Sequence, residues 1–391
     1  MEVNPRRVEQ QLRNFQRAID AYSNTEPFAR FLARFFKENK QMGSSDRRMI
    51  SRLCYNVFRL GRSLPDLPKT DRLIVAEFLS EQQSAIVALY QPDWVPYMTT
   101  SLAEKLLLLE KEGYDVVNHL FPFGSPLSPA IDKDQFILSH FVQPDLFIRV
   151  PEKNKTIVER ELAENDIPFE QVLRDAYRLP NGSKLQQIRK IEGLYEVQDL
   201  SSQQSLEGLV PKPEEKWWDT CAGAGGKSLL LLNRCPTIDL LVSDIRLSIL
   251  RNLDLRFSKA KIKTSYRTKV LDLTQDIDQL MDGETFHGIV VDAPCSGSGT
   301  WGRTPEMLTQ FEESRIHFFV TLQRRILDTV VRYLKPQGTL MYITCSVFEA
   351  ENEQIVRYLE DRHGLVLEEG GMIKGYDRKS DSMFAARMRK L

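Results

Sequence analysis

Apolar positions in the first third of the chain recur at helical spacing. Val8, Leu12, Phe15 and Ile19 fall three or four residues apart, as do Phe28, Phe31, Leu32, Phe35 and Phe36. That period predicts two amphipathic helices. Ser44, Ser45 and Asp46 are placed to cap a third, which carries Ile50, Leu53, Val57 and Leu60. Further helices are predicted in the 70s to 90s and over 99–112.

The pattern breaks at 121–129, a stretch rich in Pro, Gly and Ser. Beyond it the spacing predicts a strand over 146–150, a helix over 156–165, a short strand near Phe169 and a helix over 183–189. A second break falls at 211–215. From about 216 short apolar runs alternate with helical patterns. Strands are predicted at 217–219, 239–244, 288–292 and 339–344, with a long helix over 312–334 and another over 349–359. Strands alternating with helices predict an α/β fold with a parallel, doubly wound sheet. Ligands of such sheets sit beyond the carboxyl ends of the strands.

The chain has 391 residues, enough for two or three domains, and its 42% hydrophobic and 27% charged residues describe an ordinary globular protein. No apolar run approaches the ~18 residues that span a bilayer. The N-terminus, with Arg6 and Arg7, has no apolar signal-peptide core. The expectation is a soluble cytoplasmic protein with no membrane partner. Five cysteines, with no CxxC pair, argue against a disulfide framework and against a metal site. Lys plus Arg number 53 against 54 Asp plus Glu, a net charge of −1. Grip on nucleic acid by overall charge is therefore excluded. A local patch is not: residues 1–62 hold 13 basic and 6 acidic side chains.

Three features sit where predicted strands end. The first runs from Asp219 through Thr220, Cys221, Ala222, Gly223, Ala224, Gly225 and Gly226 to Lys227. Its glycines permit a tight turn and close backbone approach to a ligand. The P-loop spacing fails, because Cys221 stands where the first glycine would be. The second is Asp244, at the end of the next strand, where a carboxylate accepts hydrogen bonds from ribose hydroxyls. Together they predict an adenosine-containing cofactor. The third is a pair of cysteines in polar turns: Cys295, after Asp292, Ala293 and Pro294, and Cys345, between Thr344 and Ser346. Cys54 and Cys235 read as small core residues.

These motifs closely resemble those of the Nop/Sun family of RNA (cytosine-5)-methyltransferases, which use S-adenosylmethionine. Residues 292–297 and 344–346 are similar to that family's two cysteine motifs, in the same order and about 50 residues apart. Residues 219–227 resemble its cofactor loop, with Ala224 where Pro is usual. Residues 195–203 resemble the segment leading into its catalytic domain. More weakly, residues 45–59 resemble the NusB-like helical domain of its bacterial ribosomal RNA members, and 126–200 resemble their small RNA-binding subdomain.

The resemblance implies a Rossmann-like methyltransferase domain over 201–391, a NusB-like all-α domain over 1–125 and a small α+β subdomain over 126–200. It implies S-adenosylmethionine as cofactor, held by Cys221, Ala222, Gly223, Ala224, Gly225, Gly226, Lys227, Asp244, Asp272 and Asp292. It implies Cys345 as nucleophile, Cys295 as assistant in product release, and Asp292 and Lys227 as catalytic groups beside the base. Pro294 and Arg303 would meet the RNA. The implied partner is RNA, foremost ribosomal RNA, met by a monomer. Transfer RNA as substrate, a non-catalytic RNA-binding assembly factor and a DNA cytosine methyltransferase are the competing readings.

Overall fold

The computed structural model describes residues 3–391, which form two compact units. The first comprises residues up to 124 together with 133–143 and 301–312, and it is helical. Its elements start where local chemistry starts them. Asn4 caps Pro5–Ala21 with its side chain, and Pro5 occupies the first helical position, where no N–H is needed. Ser101 and Glu104 form a reciprocal capping box at Leu102–Lys111. Leu12, Phe15, Phe28, Phe31, Leu53 and Phe78 are buried, as the helical period requires. Cys54 is wholly buried in this core.

Two of the charged groups buried inside this unit are Glu77 and Arg59. Fully buried Glu77 accepts hydrogen bonds from Arg52 (2.7 Å), Asn56 (2.8 Å) and Ser84 (2.7 Å). Buried Arg59 donates to the carbonyls of His140 (2.8 Å) and Gly302 (3.1 Å). Chain that follows the expected break at 125 thus returns to the helical unit twice, through Lys133–Ser139 and through 301–312.

The second unit holds two sheets. The smaller is antiparallel, in the order β2-β3-β1-β4, from β1 (Leu146–Arg149), β2 (Glu170–Gln171), β3 (Ala176–Leu179) and β4 (Glu196–Val197). Helix Lys155–Glu164 packs Val158 and Leu162 against Ile148, Val150 and Tyr177. The helix expected over 183–189 is two short 3-10 turns instead, Leu185–Gln187 and Arg189–Ile191. Each is anchored by one buried residue, Leu185 or Ile191.

The larger sheet comprises β5 (Lys216–Asp219), β6 (Asp239–Asp244), β7 (Tyr266–Val270), β8 (Phe286–Asp292), β9 (Leu334–Thr344), β10 (Leu365–Ile373) and β11 (Met383–Lys390). Their order is β10-β11-β9-β8-β5-β6-β7. Strands β5, β6, β8 and β9 pair in parallel, as expected, and β7, which the sequence reading did not predict, pairs in parallel with β6. The fully parallel expectation is corrected at one edge, where β11 runs antiparallel to β9 and β10 antiparallel to β11. Chain order reverses between β5 and β8, which places the switch point of the sheet there. One face is covered by Gly226–Arg234 and Leu247–Lys259, whose Leu229, Leu231, Leu253 and Phe257 meet Val242, Val290, Met341 and Ile343. Buried Cys235 belongs to this core. No helix among the described residues is long and apolar enough to cross a membrane.

Candidate active site

Every parallel strand of the larger sheet ends at one rim, and the sequence motifs lie along it. After β5 the chain turns through Cys221–Gly225 into the helix Gly226–Arg234. Gly225 has φ 81°, and a Cβ there would lie 2.7 Å from Phe257 and 2.8 Å from Leu253. Only glycine fits both the backbone and the space. The loop is pinned to the next strand: Ala222 N–H donates to the Ser243 carbonyl (2.9 Å) and Gly223 N–H to Asp244 Oδ2 (3.2 Å). Burial pushes the Cys221 thiol up to about 12, so it stays protonated at neutral pH.

Asp244 ends β6 with its side chain buried. It accepts from the Arg246 backbone N–H (2.9 Å), Nε (3.0 Å) and Nη2 (3.1 Å) as well as from Gly223. Burial raises its pKa, but the Arg246 hydrogen bonds outweigh it and hold the carboxyl below its usual range. Asp272 follows β7, one residue beyond Leu271, whose N–H donates to the Asp244 carbonyl (3.3 Å). Its Oδ1 accepts from the Thr274 hydroxyl (2.7 Å) and N–H (3.0 Å), which hold the carboxyl below its usual range.

Asp292 ends β8, beside the start of the helix that follows the glycine loop. Lys227, 7% exposed, reaches it with Nζ at 3.2 Å and donates to the Ser202 hydroxyl at 2.8 Å. Ser202 lies in Leu200–Gln204, the helix within the 195–203 segment. The two cysteines converge. Cys295, in the loop after β8, has its Sγ 3.3 Å from the Sγ of Cys345, in the turn after β9. The adjacent Cys345 sulfur and burial push the Cys295 thiol well above its usual value. Pro294 contributes its carbonyl to Gln323 Nε2 (3.0 Å).

Beneath the cysteines lies a carboxylate that sequence reasoning missed. Glu351 is fully buried and accepts hydrogen bonds from both cysteine loops. Its only signal in the sequence is its place six residues after Cys345, within a predicted helix, where a carboxylate reads as solvated. Arg303 belongs to 301–312, which are part of the helical unit. A cleft of about 980 Å³ lined by Arg149, Lys153, Arg234 and Lys263 opens at the opposite ends of β6 and β7 and holds none of the candidate residues. Among the described residues no cluster of His, Cys, Asp and Glu is arranged to hold a metal ion. The rim therefore offers a backbone cradle, two ionised carboxylates, a buried lysine paired with a half-buried carboxylate, and two thiols in contact.

Residues 207–386 match the family profile described as 16S rRNA methyltransferase RsmB/F. The ribosomal RNA small subunit methyltransferase B of Xylella fastidiosa is 38% identical over 161 residues, which are 41% of this chain and 38% of that protein. The protein of the same name from Pasteurella multocida is 31% identical over 270 residues, 64% of this chain and 60% of the relative. The chain thus spans about two fifths to three fifths of the length of these curated relatives. Among solved structures, PH0851 aligns over 100% of both chains with a TM-score of 0.72 at 19% identity. A methyltransferase homolog protein from Pyrococcus horikoshii aligns over 72% of this chain and 97% of its own, with a TM-score of 0.57 at 22% identity. At these identities the likeness establishes the fold.

Proposed function

We propose, from the match of residues 207–386 to the 16S rRNA methyltransferase RsmB/F family, that this protein methylates carbon 5 of a cytosine in ribosomal RNA. S-adenosylmethionine is the proposed methyl donor. The observation that carries the reading is the contact of the Cys295 and Cys345 sulfurs at 3.3 Å beside the Lys227–Asp292 pair.

The residues fit the cofactor. The backbone at Gly223 is open to close approach, and Asp272 follows the neighbouring strand β7 as a proposed acceptor for the ligand. Asp244 is placed for ribose hydroxyls, which would displace Arg246 from it. Cys221, Ala222, Ala224 and Asp292 complete the proposed contacts. The bound group supplies an electrophilic methyl.

The chain's own residues prepare the base. Carbon 5 of cytosine is a poor nucleophile until a thiolate adds to carbon 6. Cys345 is the proposed attacking thiolate, forming the carbon–sulfur bond. Cys295, whose surroundings favour the protonated thiol, is suited to a neutral partner in contact with it. Asp292 holds the ring-nitrogen edge of the base, where electron density builds during addition, and Lys227 holds Asp292. After methylation the carbon 5 proton passes to a water molecule as base, the electrons of that carbon–hydrogen bond restore the 5,6 double bond, and the carbon–sulfur bond breaks, so that Cys345 leaves as a thiolate to which the Cys295 thiol donates a hydrogen bond. The base must leave its stack to reach this rim. Pro294 and Arg303 are proposed RNA contacts, and residues 1–125 and 126–200 the domains that hold the RNA outside the catalytic domain 201–391. The protein is proposed to act in the cytoplasm as a monomer.

The test is methyl transfer from labelled donor to RNA of methylation-free cells. Wild type labels 16S rRNA, Cys345→Ala labels nothing, and Cys295→Ala accumulates a denaturation-resistant RNA adduct. An adduct with Cys345→Ala instead reverses the two roles. An inactive wild type that still binds RNA favours an assembly factor.

A further inference from the structure

Glu351 is unused by the mechanism above, yet it accepts four hydrogen bonds. It closes the short turn Glu349–Glu351 that follows β9 and is 0% exposed. Oε1 accepts from the Ser296 N–H (2.9 Å) and from Gln323 Nε2 (3.1 Å). Oε2 accepts from the hydroxyls of Ser296 (2.6 Å) and Ser346 (2.5 Å). Ser296 is the residue after Cys295, and Ser346 the residue after Cys345. One carboxylate therefore binds the turn behind each sulfur.

The Ser296 N–H and the Gln323 amide can only donate. The Ser346 hydroxyl oxygen accepts from the Phe348 N–H (3.0 Å), so its proton is available to Glu351. Four donors thus hold the carboxyl group on both of its oxygens. Burial raises its pKa, and the four donors hold that rise back without cancelling it. Tyr342, which donates to the Glu351 carbonyl (2.7 Å), and Gln323, which also donates to Pro294, fix the carboxylate from behind.

We propose that Glu351 is a positioning residue for both cysteines, clamping the two loops so that the sulfurs meet. Its carboxyl group also lies near Cys295 and favours the protonated thiol there. The titratable groups facing the Cys295 sulfur are Cys345 and Glu351, with Tyr342 behind them. The proposal rests on the cysteine reading above, and its test separates the two.

The experiment compares wild type with Glu351→Gln and with the double variant Ser296→Ala/Ser346→Ala, which keeps the carboxylate and removes its hydroxyl donors. Methyl transfer to 16S rRNA and site-resolved iodoacetamide labelling of Cys295 across pH are both measured. In Glu351→Gln kcat should fall about 100-fold, as a displaced reacting group predicts, with KM for RNA within about twofold, and Cys295 labelling should begin at lower pH. The double variant should lower kcat while the labelling profile stays nearer wild type. A kcat loss with an unmoved Cys295 profile in both variants overturns the clamp and leaves a structural carboxylate. A wild type that transfers no methyl overturns the enzymatic reading, and the labelling profile still decides the clamp.

Discussion

Asp219 is completely buried at the end of β5. Its Oδ2 accepts the Ser228 hydroxyl at 2.5 Å, and its Oδ1 has no hydrogen-bond partner. Burial raises its pKa from 3.8 to about 7. A raised carboxyl binds its proton more tightly in the folded protein, so its contribution to stability is complete below the unfolded value and is lost as pH rises through the folded one. The span is on the order of 4 kcal/mol at most. Melting temperature should fall between about pH 4 and pH 7, and Asp219→Asn, which keeps an acceptor for Ser228, should flatten that slope in thermal denaturation. Lys227 poses the opposite case, a buried ammonium paired with Asp292. Lys227→Met leaves Asp292 without its cation, and single-turnover methyl transfer should drop about 100-fold, with an unchanged rate removing Lys227 from the proposed chemistry. The partners of these residues were not all legible. Cys295 and Cys345 were found by motif, whereas Glu351, which links their loops, came into view only when β8 and β9 were paired.

At the scale of elements, the loop after β8 is locked to the turn after β9 by backbone alone. Gly299 N–H donates to the Cys345 carbonyl (2.8 Å) and the Gly299 carbonyl accepts from the Ser382 N–H (2.8 Å). A Cβ at Gly299 would lie 1.9 Å from the Ser382 carbonyl oxygen. Gly299→Ala should therefore force the loops apart, with destabilisation of about 1–3 kcal/mol read as a lowered denaturant midpoint, and with slower methyl transfer. The same element explains a gap in the sequence reading. Strands β10 and β11 were not expected. Residues 366–370 in β10 are exposed, with Glu368 and Glu369 paired to Arg387 across the strands, so no apolar alternation marks it. β11 is a strand because β9, some 40 residues earlier, offers it an edge. Conversely the long helix expected over 312–334 is a helix only over Arg315–Val330, because its last residues tighten into a 3-10 turn that feeds β9.

Over the whole molecule, charge is uneven. In the helical unit Arg6, Arg7, Lys37 and Arg48 are exposed and form no ion pair among the described residues. If this face meets RNA, each phosphate that a substitution leaves without its cation should make the dependence of log affinity on log salt shallower by about 0.7 for single-stranded RNA. Binding of a 16S rRNA fragment by the four-fold Gln variant, titrated across salt, measures this. An unchanged slope would assign the RNA to other residues.

The sequence by itself determined the helical first third, the alternating strands and helices, the glycine turn and the two cysteine motifs. These follow from short-range causes: apolar period, cap residues, and residue types that only certain turns accept. Tertiary structure alone decided the antiparallel edge of the sheet, the return of 133–143 and 301–312 to the helical unit, the pairing of Lys227 with Asp292, and the seat of Glu351 between two loops. Each depends on residues far apart in the chain. Local propensity carries no information about which distant backbone or side chain will supply the missing hydrogen bond, and only the packed sheet brings those partners within reach.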